Sequence, residues 1–593
     1  MTPSHAPVLL EVTGLDVDAW ATQSMRNPWL AGRDPEERKL AEVELLVNPV
    51  ETDLLERLTW GLLAWRPVQR LQLVDRRTGA RVAVIRPHTP GSKRNTGRVL
   101  TWRDHWLPPG AVVRAGTEDP AENADDVFPP AERAGFIGLN EQSLARRERV
   151  WERIVRVLGE RMAVFAYRTA QALFERLRRL RATECRLHKA ALNALQRLPG
   201  CDVRPGVGIA IMTSRLSPGG AEKCALDLAL ELARDGQVAH VITTFGSRND
   251  WADRARAGGV RVLHLPDFLP ADCWTAFVTA YLVRHRLSVL HINNSHWAYE
   301  HLLELKTVIP GLRVVSQLHA EGRTGIRDYL SLAAAMDAYI DRHTVISEYL
   351  RERLLVRYAI DPAKVSVVRT GIDFGSEFER RRFARGNWRT LHDVPDDRPL
   401  VAFVGRFSEL KRPLLFLDIA MRLLDSYPNA LFALKGEGPL RPAIDRKLAR
   451  NPRLARAVVV EDSDRAVQPL MVDADLLVLT SAMEGIAYVS YEAMALGLVQ
   501  VSSDVGAQSE LVRRECGILV ETGPGETERF VAAIDFLLER PERRAELSRE
   551  GLRRISQWPR ASDMAARYMA LYATLDGGRL PLSIIDSDER STA

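Results

Sequence analysis

Glu484 and Glu492 stand eight apart in EGIAYVSYEAMALG, and roughly eighty residues upstream GRFSELKRP carries Arg406 and Lys411. Two carboxylates can accept hydrogen bonds from sugar and ribose hydroxyls, while a guanidinium and an ammonium can hold a diphosphate between them. In this order the two stretches supply both halves of a sugar-nucleotide site. Lysine is scarce, nine residues against 73 arginines, so Lys411 is a less arbitrary cation than one more arginine would be. Alternatively, all four charges lie on solvated faces.

Further candidates flank these four. Gly219 and Gly220 in TSRLSPGGAEKCALDLA permit a tight turn, and a helix opening at Ala221 would aim its free amides at an anion. The spacing is not that of G-x-x-x-x-G-K-[ST], and simple turn geometry accounts for the two glycines equally well. Behind Glu484, the turn Gly485-Ile486-Ala487 opens the next helix, where the amides of Ile486 and Ala487 can also reach a phosphate. His319 follows the apolar run LRVVSQL, where it could donate to a sugar oxygen or serve as a structural hydrogen-bonder. His291, His296 and His301 step by five, with Glu300 and Glu304 nearby; that spacing does not suit one helix face, and no metal site is expected.

Repeated strand–helix alternation positions these residues. GVGIAIMT, QVAHVITT, VRVLHLP, LSVLHIN, LRVVSQL and AYIDRHTVI are short apolar runs within 204–385, separated by helical stretches such as AEKCALDLALELARDG. PLVAFVG, ALFALKG, AVVVE, DLLVLTS, GLVQVSS and CGILVE repeat the scheme over 398–555. Such alternation predicts two doubly wound parallel sheets, whose ligands bind beyond the carboxyl ends of the strands. The charged, aperiodic segment 373–399 reads as a linker, and a last helix within 556–578 as a brace returning to the first domain.

The first 200 residues are less legible. Residues 1–140 read as a small β-rich α+β module with a hairpin around RRTG. Six of the twelve tryptophans fall in the first 106 residues; core packing is favoured over stacking on sugars. Over 141–200 an apolar stripe from Trp151 to Leu180 recurs at helical spacing. Between Arg146 and Arg197 stand fourteen basic residues against five glutamates, although the whole chain carries only +5. A basic amphipathic helix of this kind either lies on an anionic membrane or packs its stripe onto a neighbouring domain.

The 593 residues exceed what one core can hold. Five dispersed cysteines without C-x-x-C argue against a disulfide framework or zinc site and point to a reducing cytoplasm. No basic-then-apolar leader opens the chain, and no apolar run approaches the ~20 residues that span a bilayer. A cytoplasmic protein, peripheral on the inner membrane face if the basic helix binds lipid, is the expectation.

Taken in order, the SPGGAE turn, the histidine after the fifth strand, TVISEYL, TGID, GRFSELKRP, GEGPL and E-x7-E resemble the family-4 retaining glycosyltransferases of GT-B fold over residues 205–578. The resemblance implies two facing Rossmann-like domains and metal-independent, hexosyltransferase-like transfer from a UDP- or GDP-sugar to a glycan or lipid-linked acceptor. It needs no cofactor and no nucleic acid, and suits cell-surface polysaccharide or glycolipid biosynthesis. It assigns sugar hydroxyls to Glu484 and ribose to Glu492. The diphosphate falls to Arg406 and Lys411, helped by Gly220 and the amides after Gly485; His319 lies beside the sugar. Ile486-Ala487 stands in place of Phe-Gly, Leu498 of proline, Thr370 of asparagine and Ala507 of glycine, which bears on donor identity. The alternatives are a GT-B epimerase or phosphorylase, or a non-catalytic glycan-binding scaffold.

Overall fold

The computed structural model describes residues 208–245, 249–268, 274–322, 328–373, 385–462 and 466–575, together with the backbone of five strands before residue 116. Those five are β1 (Val8–Glu11), β2 (Glu42–Val47), β3 (Arg70–Asp75), β4 (Arg81–Ile85) and β5 (Val112–Ala115), in the order β4-β3-β2-β1-β5. β3 and β4 pair antiparallel, Leu71 opposite Ile85, which is the hairpin expected around RRTG. The expected basic helix over 141–200 and the six early tryptophans lie outside the described residues.

Two parallel sheets follow, and nearly every apolar run named above is a strand in them. The first contains β6 (Gly208–Thr213), β7 (Ala239–Thr243), β8 (Arg261–His264), β9 (Leu287–Asn293), β10 (Arg313–Leu318), β11 (Arg342–Val345) and β12 (Val365–Val367). Its order is β12-β11-β10-β9-β6-β7-β8. The second contains β13 (Leu400–Val404), β14 (Leu431–Lys435), β15 (Val458–Glu461), β16 (Leu476–Leu479), β17 (Val499–Ser503) and β18 (Gly517–Val520), ordered β15-β14-β13-β16-β17-β18. Helices cover both faces, so strands such as β6 are buried at every position and read as continuous apolar runs. Only β12, three residues long, escaped the pattern.

Strand order decides where a ligand sits. In the first sheet the chain runs outward one way from β6 through β7 to β8, then returns to start again at β9. In the second it reverses between β13 and β16. Doubly wound sheets bind their ligands at these reversals, beyond the carboxyl ends of the strands.

The two lobes share a packed junction. Ile486, Tyr491 and Met494, from the second lobe, belong to the same buried cluster as Leu318, Val345 and Leu350 of the first. The chain then crosses back. Trp558 Nε1 donates to Thr370 O at 3.0 Å and the Ile372 amide to Pro559 O at 3.0 Å. A Cβ on Gly371 would stand 2.3 Å from Arg560 O, so this crossing requires a glycine. The helix Ala561–Thr574 then seats Met564, Tyr568 and Tyr572 against Ile209, Cys224 and Leu228 of the first lobe.

Residues 385–398 correct the linker expectation. The helix Asn387–Leu391 is docked, with Trp388 and Arg389 buried. Buried Asp473 accepts the amides of Gly386, Trp388 and Arg389, and the Arg389 guanidinium reaches the carbonyls of Asp473, Pro395 and Arg398. A charged, aperiodic stretch therefore hides one buried arginine, satisfied by two carbonyls of its own stretch and one 84 residues away.

Under the returning helix His291 is completely buried, with Nδ1 2.7 Å from Tyr572 Oη and Nε2 2.9 Å from Gln317 Oε1. Burial pushes its imidazole from 6.5 down to about 4. Burial also lowers His240 and His343. Below 6.5 the unfolded chain takes up protons that the folded chain refuses, so this stabilisation is complete above 6.5 and is lost as pH falls toward about 4. Thermal melts should show a midpoint falling between pH 7 and 5, His291 alone contributing about 1.4 kcal/mol per pH unit. His291→Gln should flatten that slope; an unchanged slope would contradict a neutral, buried imidazole.

Candidate active site

The sequence candidates gather at the two reversals. Gly219 and Gly220 follow β6, Arg406 and Lys411 follow β13, Glu484 follows β16, and His319 follows β10.

The loop after β13 is held from below by the loop after β14. The Gly405 amide donates to Lys435 O at 3.0 Å, Phe407 to Glu437 O at 2.7 Å, and Leu440 to Phe407 O at 2.9 Å. Gly436 and Gly438, in GEGPL, have φ of +153° and +151°, and Cβ atoms there would come within 2.0 Å of Gly405 O and 2.5 Å of Phe407 O. Those glycines let the two loops lie backbone to backbone, which leaves Arg406 exposed at the crest.

Lys411 sits where the loop turns into the helix Pro413–Ser426. Thr480 Oγ1 bonds the carbonyls of Lys411 at 3.0 Å and Arg412 at 2.9 Å, and the Ala482 amide reaches Leu410 O at 2.7 Å. The corner is thereby fastened just beyond the end of β16, four positions before Glu484. Lys411 Nζ consequently donates to Glu484 Oε1, which also accepts from Ser481 Oγ at 2.6 Å. Glu484 is only 8% exposed, so this carboxylate works in a largely desolvated corner, while Lys411 keeps 29% of its side chain accessible. Glu484 Oε2 takes no hydrogen bond from a described residue.

Gly485 lies directly against the first lobe. A Cβ there would come within 1.6 Å of His319 O, and Gly506, at φ +58°, passes just as tightly beneath Glu484 O. On the other side, a Cβ on Gly220 would lie 3.0 Å from Tyr488 Cβ. Gly220 and Tyr488 are the first residues of the helices Gly220–Arg234 and Tyr488–Ala495, so two helix N-termini meet at the junction. Unpaired first-turn amides and helix dipoles both favour an anion there. Glu492, one turn into the second helix, is half-buried. Burial, then the charges of Asp227 and Glu492, push the Tyr488 phenol far above its usual value. Its hydroxyl reaches Asp227 of the facing lobe at 3.4 Å.

Two expectations change. The Ala487 amide donates to Gln508 Oε1 at 3.0 Å, so it is already engaged; the amides of Tyr488 and Val489 are those without a partner inside the helix. His319 likewise differs from a simple donor to sugar. Its Nε2 lies 2.7 Å from Asn293 Oδ1, while Asn293 Nδ2 donates to Ala221 O at 3.1 Å. That second bond fixes the amide orientation, so Nε2 carries the proton and Nδ1 is left as an acceptor. Burial, with His291 adding to it, pushes His319 down to about 3 and keeps the ring neutral.

Asn293, Ser481, Arg412 and Gln508 were missed. Asn293 ends β9, at the reversal, and ties the glycine turn to His319; the double asparagine after an apolar run was the available signal. Among the described residues no three His, Cys, Asp or Glu are grouped to hold a metal, and His291, His296 and His301 are not such a group. No helix among them is long and apolar enough to cross a membrane.

Two parallel-sheet lobes meeting at paired reversals define the GT-B fold. Residues 218–375 match the model "Glycosyltransferase Family 4" and residues 385–554 the model "Glycosyl transferases group 1", together more than half of the chain, which belongs among these enzymes. Spore coat protein SA of Bacillus subtilis is 24% identical over 401 residues, covering 63% of this chain and 97% of the relative. A D-inositol 3-phosphate glycosyltransferase of Thermomonospora curvata is 27% identical over 48% of the chain and 67% of its own length. A GDP-mannose-dependent phosphatidylinositol dimannoside mannosyltransferase of Mycobacterium tuberculosis is 28% identical over 38% of the chain and 54% of its own. Among solved structures, a Rickettsia africae glycosyltransferase superposes with a TM-score of 0.53 at 14% identity, covering 63% of this chain and 99% of that one. Anabaena HepE in complex with UDP gives 0.51 at 19%, covering 62% and 100%.

Gly485→Ala should force His319 O and the lobe junction apart. A loss of about 2–3 kcal/mol in urea unfolding is expected, and wild-type stability would show that the close approach is not maintained.

Proposed function

We propose that the chain is a retaining glycosyltransferase moving a sugar from a UDP- or GDP-linked donor to a glycan or lipid-linked acceptor, with neither metal nor cofactor. The observation that carries this is the Lys411–Glu484 contact at the β13/β16 reversal, which sets a partly exposed cation beside a buried carboxylate. Arg406 and Lys411 grip the diphosphate, aided by the helix starts at Gly220 and Tyr488. Glu484 accepts from sugar hydroxyls through Oε2, Glu492 from the ribose, and His319 from a sugar hydroxyl through Nδ1. The acceptor oxygen attacks the anomeric carbon on the face the diphosphate leaves. The carbon–phosphate-oxygen bond breaks as the new bond forms, and the departing phosphate oxygen takes the acceptor's proton. The charge pattern of residues 141–200 supports a peripheral role at an anionic membrane for that segment, and surface-glycan or glycolipid assembly as the setting. Relatives named for D-inositol 3-phosphate and GDP-mannose support a polar hydroxyl acceptor and a nucleotide-sugar donor.

A ligand that binds the folded state raises its melting temperature by mass action. A panel of UDP-, GDP- and ADP-sugars should therefore single out one donor; no shift with any would overturn the reading. With that donor, Glu484→Gln should cut transfer about 100-fold while leaving nucleoside-diphosphate affinity nearly unchanged, since the amide keeps the Ser481 bond and releases Lys411. Lys411→Ala should lower turnover by two to three decades. Turnover profiles should show no ionisation from His319 between pH 6 and 8, because the ring is already neutral there.

A further inference from the structure

Arg412 is one of five described non-glycine residues with positive φ, at +50°, and it directly follows Lys411. A left-handed conformation disfavours any side chain but glycine's, so its persistence means the surroundings hold it. They do so through the guanidinium. Nε donates to Thr480 O at 2.5 Å; Nη2 donates to Ser481 O at 3.2 Å, Ser503 Oγ at 3.2 Å and Glu526 Oε1 at 2.5 Å; Nη1 donates to Glu526 Oε2 at 2.9 Å. Thr480, Ser481, Ser503 and Glu526 are all buried.

The partners span the carboxyl edge of the second sheet. Thr480 and Ser481 directly follow β16, Ser503 ends β17, and Glu526 opens the helix Glu526–Leu538 beyond β18. Thr480 Oγ1 returns bonds to the carbonyls of Lys411 and Arg412, so side chain and backbone are held reciprocally. We propose that Arg412 is a positioning residue: the Arg412–Glu526 fork locks the Lys411 corner to the strand end bearing Glu484, and so sets the ammonium that receives the donor diphosphate. Arg412 itself stays behind the site, its donors turned to the protein. The role in donor binding rests on the function proposed above; the role in placing Lys411 does not.

Two measurements separate those claims. Site-resolved acetylation of lysines in the folded protein reads the Lys411 amine directly. Wild-type Lys411 should react slowly, shielded by Glu484. Arg412→Gly, which suits the backbone but removes the fork, should raise its rate several-fold toward that of Glu484→Gln, with Arg412→Lys in between. Lys411 reactivity unchanged in Arg412→Gly would overturn the proposal whatever the substrate is. The second is a double-mutant cycle on UDP and GDP affinity by calorimetry. Arg412→Gly should weaken the better ligand at least ten-fold in the wild-type background and by less than two-fold in Lys411→Ala. Equal losses in both backgrounds would make Arg412 a general scaffold residue and refute action through Lys411. If the wild-type chain binds neither UDP nor GDP, the donor reading fails and the acetylation rates alone decide whether Arg412 places Lys411.

Discussion

A lysine ammonium meets a glutamate carboxylate in a corner with little water, and much of the second lobe is arranged so that they do. In water such a pair would be weak; with Glu484 largely desolvated it is stronger, provided neither partner wanders. Neighbours supply that fixity. The GEGPL glycines let one loop lie against another, Thr480 fastens the Lys411 corner to β16, and Ser481 shares the carboxylate oxygen. On the function proposed above, an incoming diphosphate would find a cation already aimed, with the Glu484 contact the one it must displace.

The first lobe contributes proximity more than charge. His319 O pressed against Gly485, and Gly220 against Tyr488, bring one helix start and a neutral imidazole to the second lobe's strand ends and its own helix start at Tyr488. The histidine is a fixed acceptor here, because Asn293 has claimed its proton. Burial holds that ring neutral across the physiological range, so its hydrogen bonding does not change with pH there.

Strands were legible because sheets covered on both faces demand unbroken apolar runs, and GVGIAIMT or DLLVLTS allow little else. Arg406 and Glu484 were legible because each stands just beyond such a run, and Lys411 and Glu492 because they open or enter the helix that follows. Strand order was not legible, since nothing local in β9 says that it lies beside β6. Two of the missed residues share that cause: Arg412 meets Glu526 across 114 positions and Asn293 meets Ala221 across 72. Ala487 shows the opposite error, where a helix start suggested a vacant amide that Gln508, 21 residues later, already occupies. Residues 385–398 were misread because a buried arginine leaves no apolar pattern.

The crossing of Thr370–Ile372 with Trp558–Arg560 carries a mechanical consequence. Two chain segments leave one lobe for the other side by side, stitched by hydrogen bonds and by a glycine that admits no side chain. A single tether lets a body swivel in any direction; a paired one behaves as a door hinge, permitting opening about one line and resisting twist. Any relative movement of the two lobes would be confined to that line, with Gly371 and Trp558 on it.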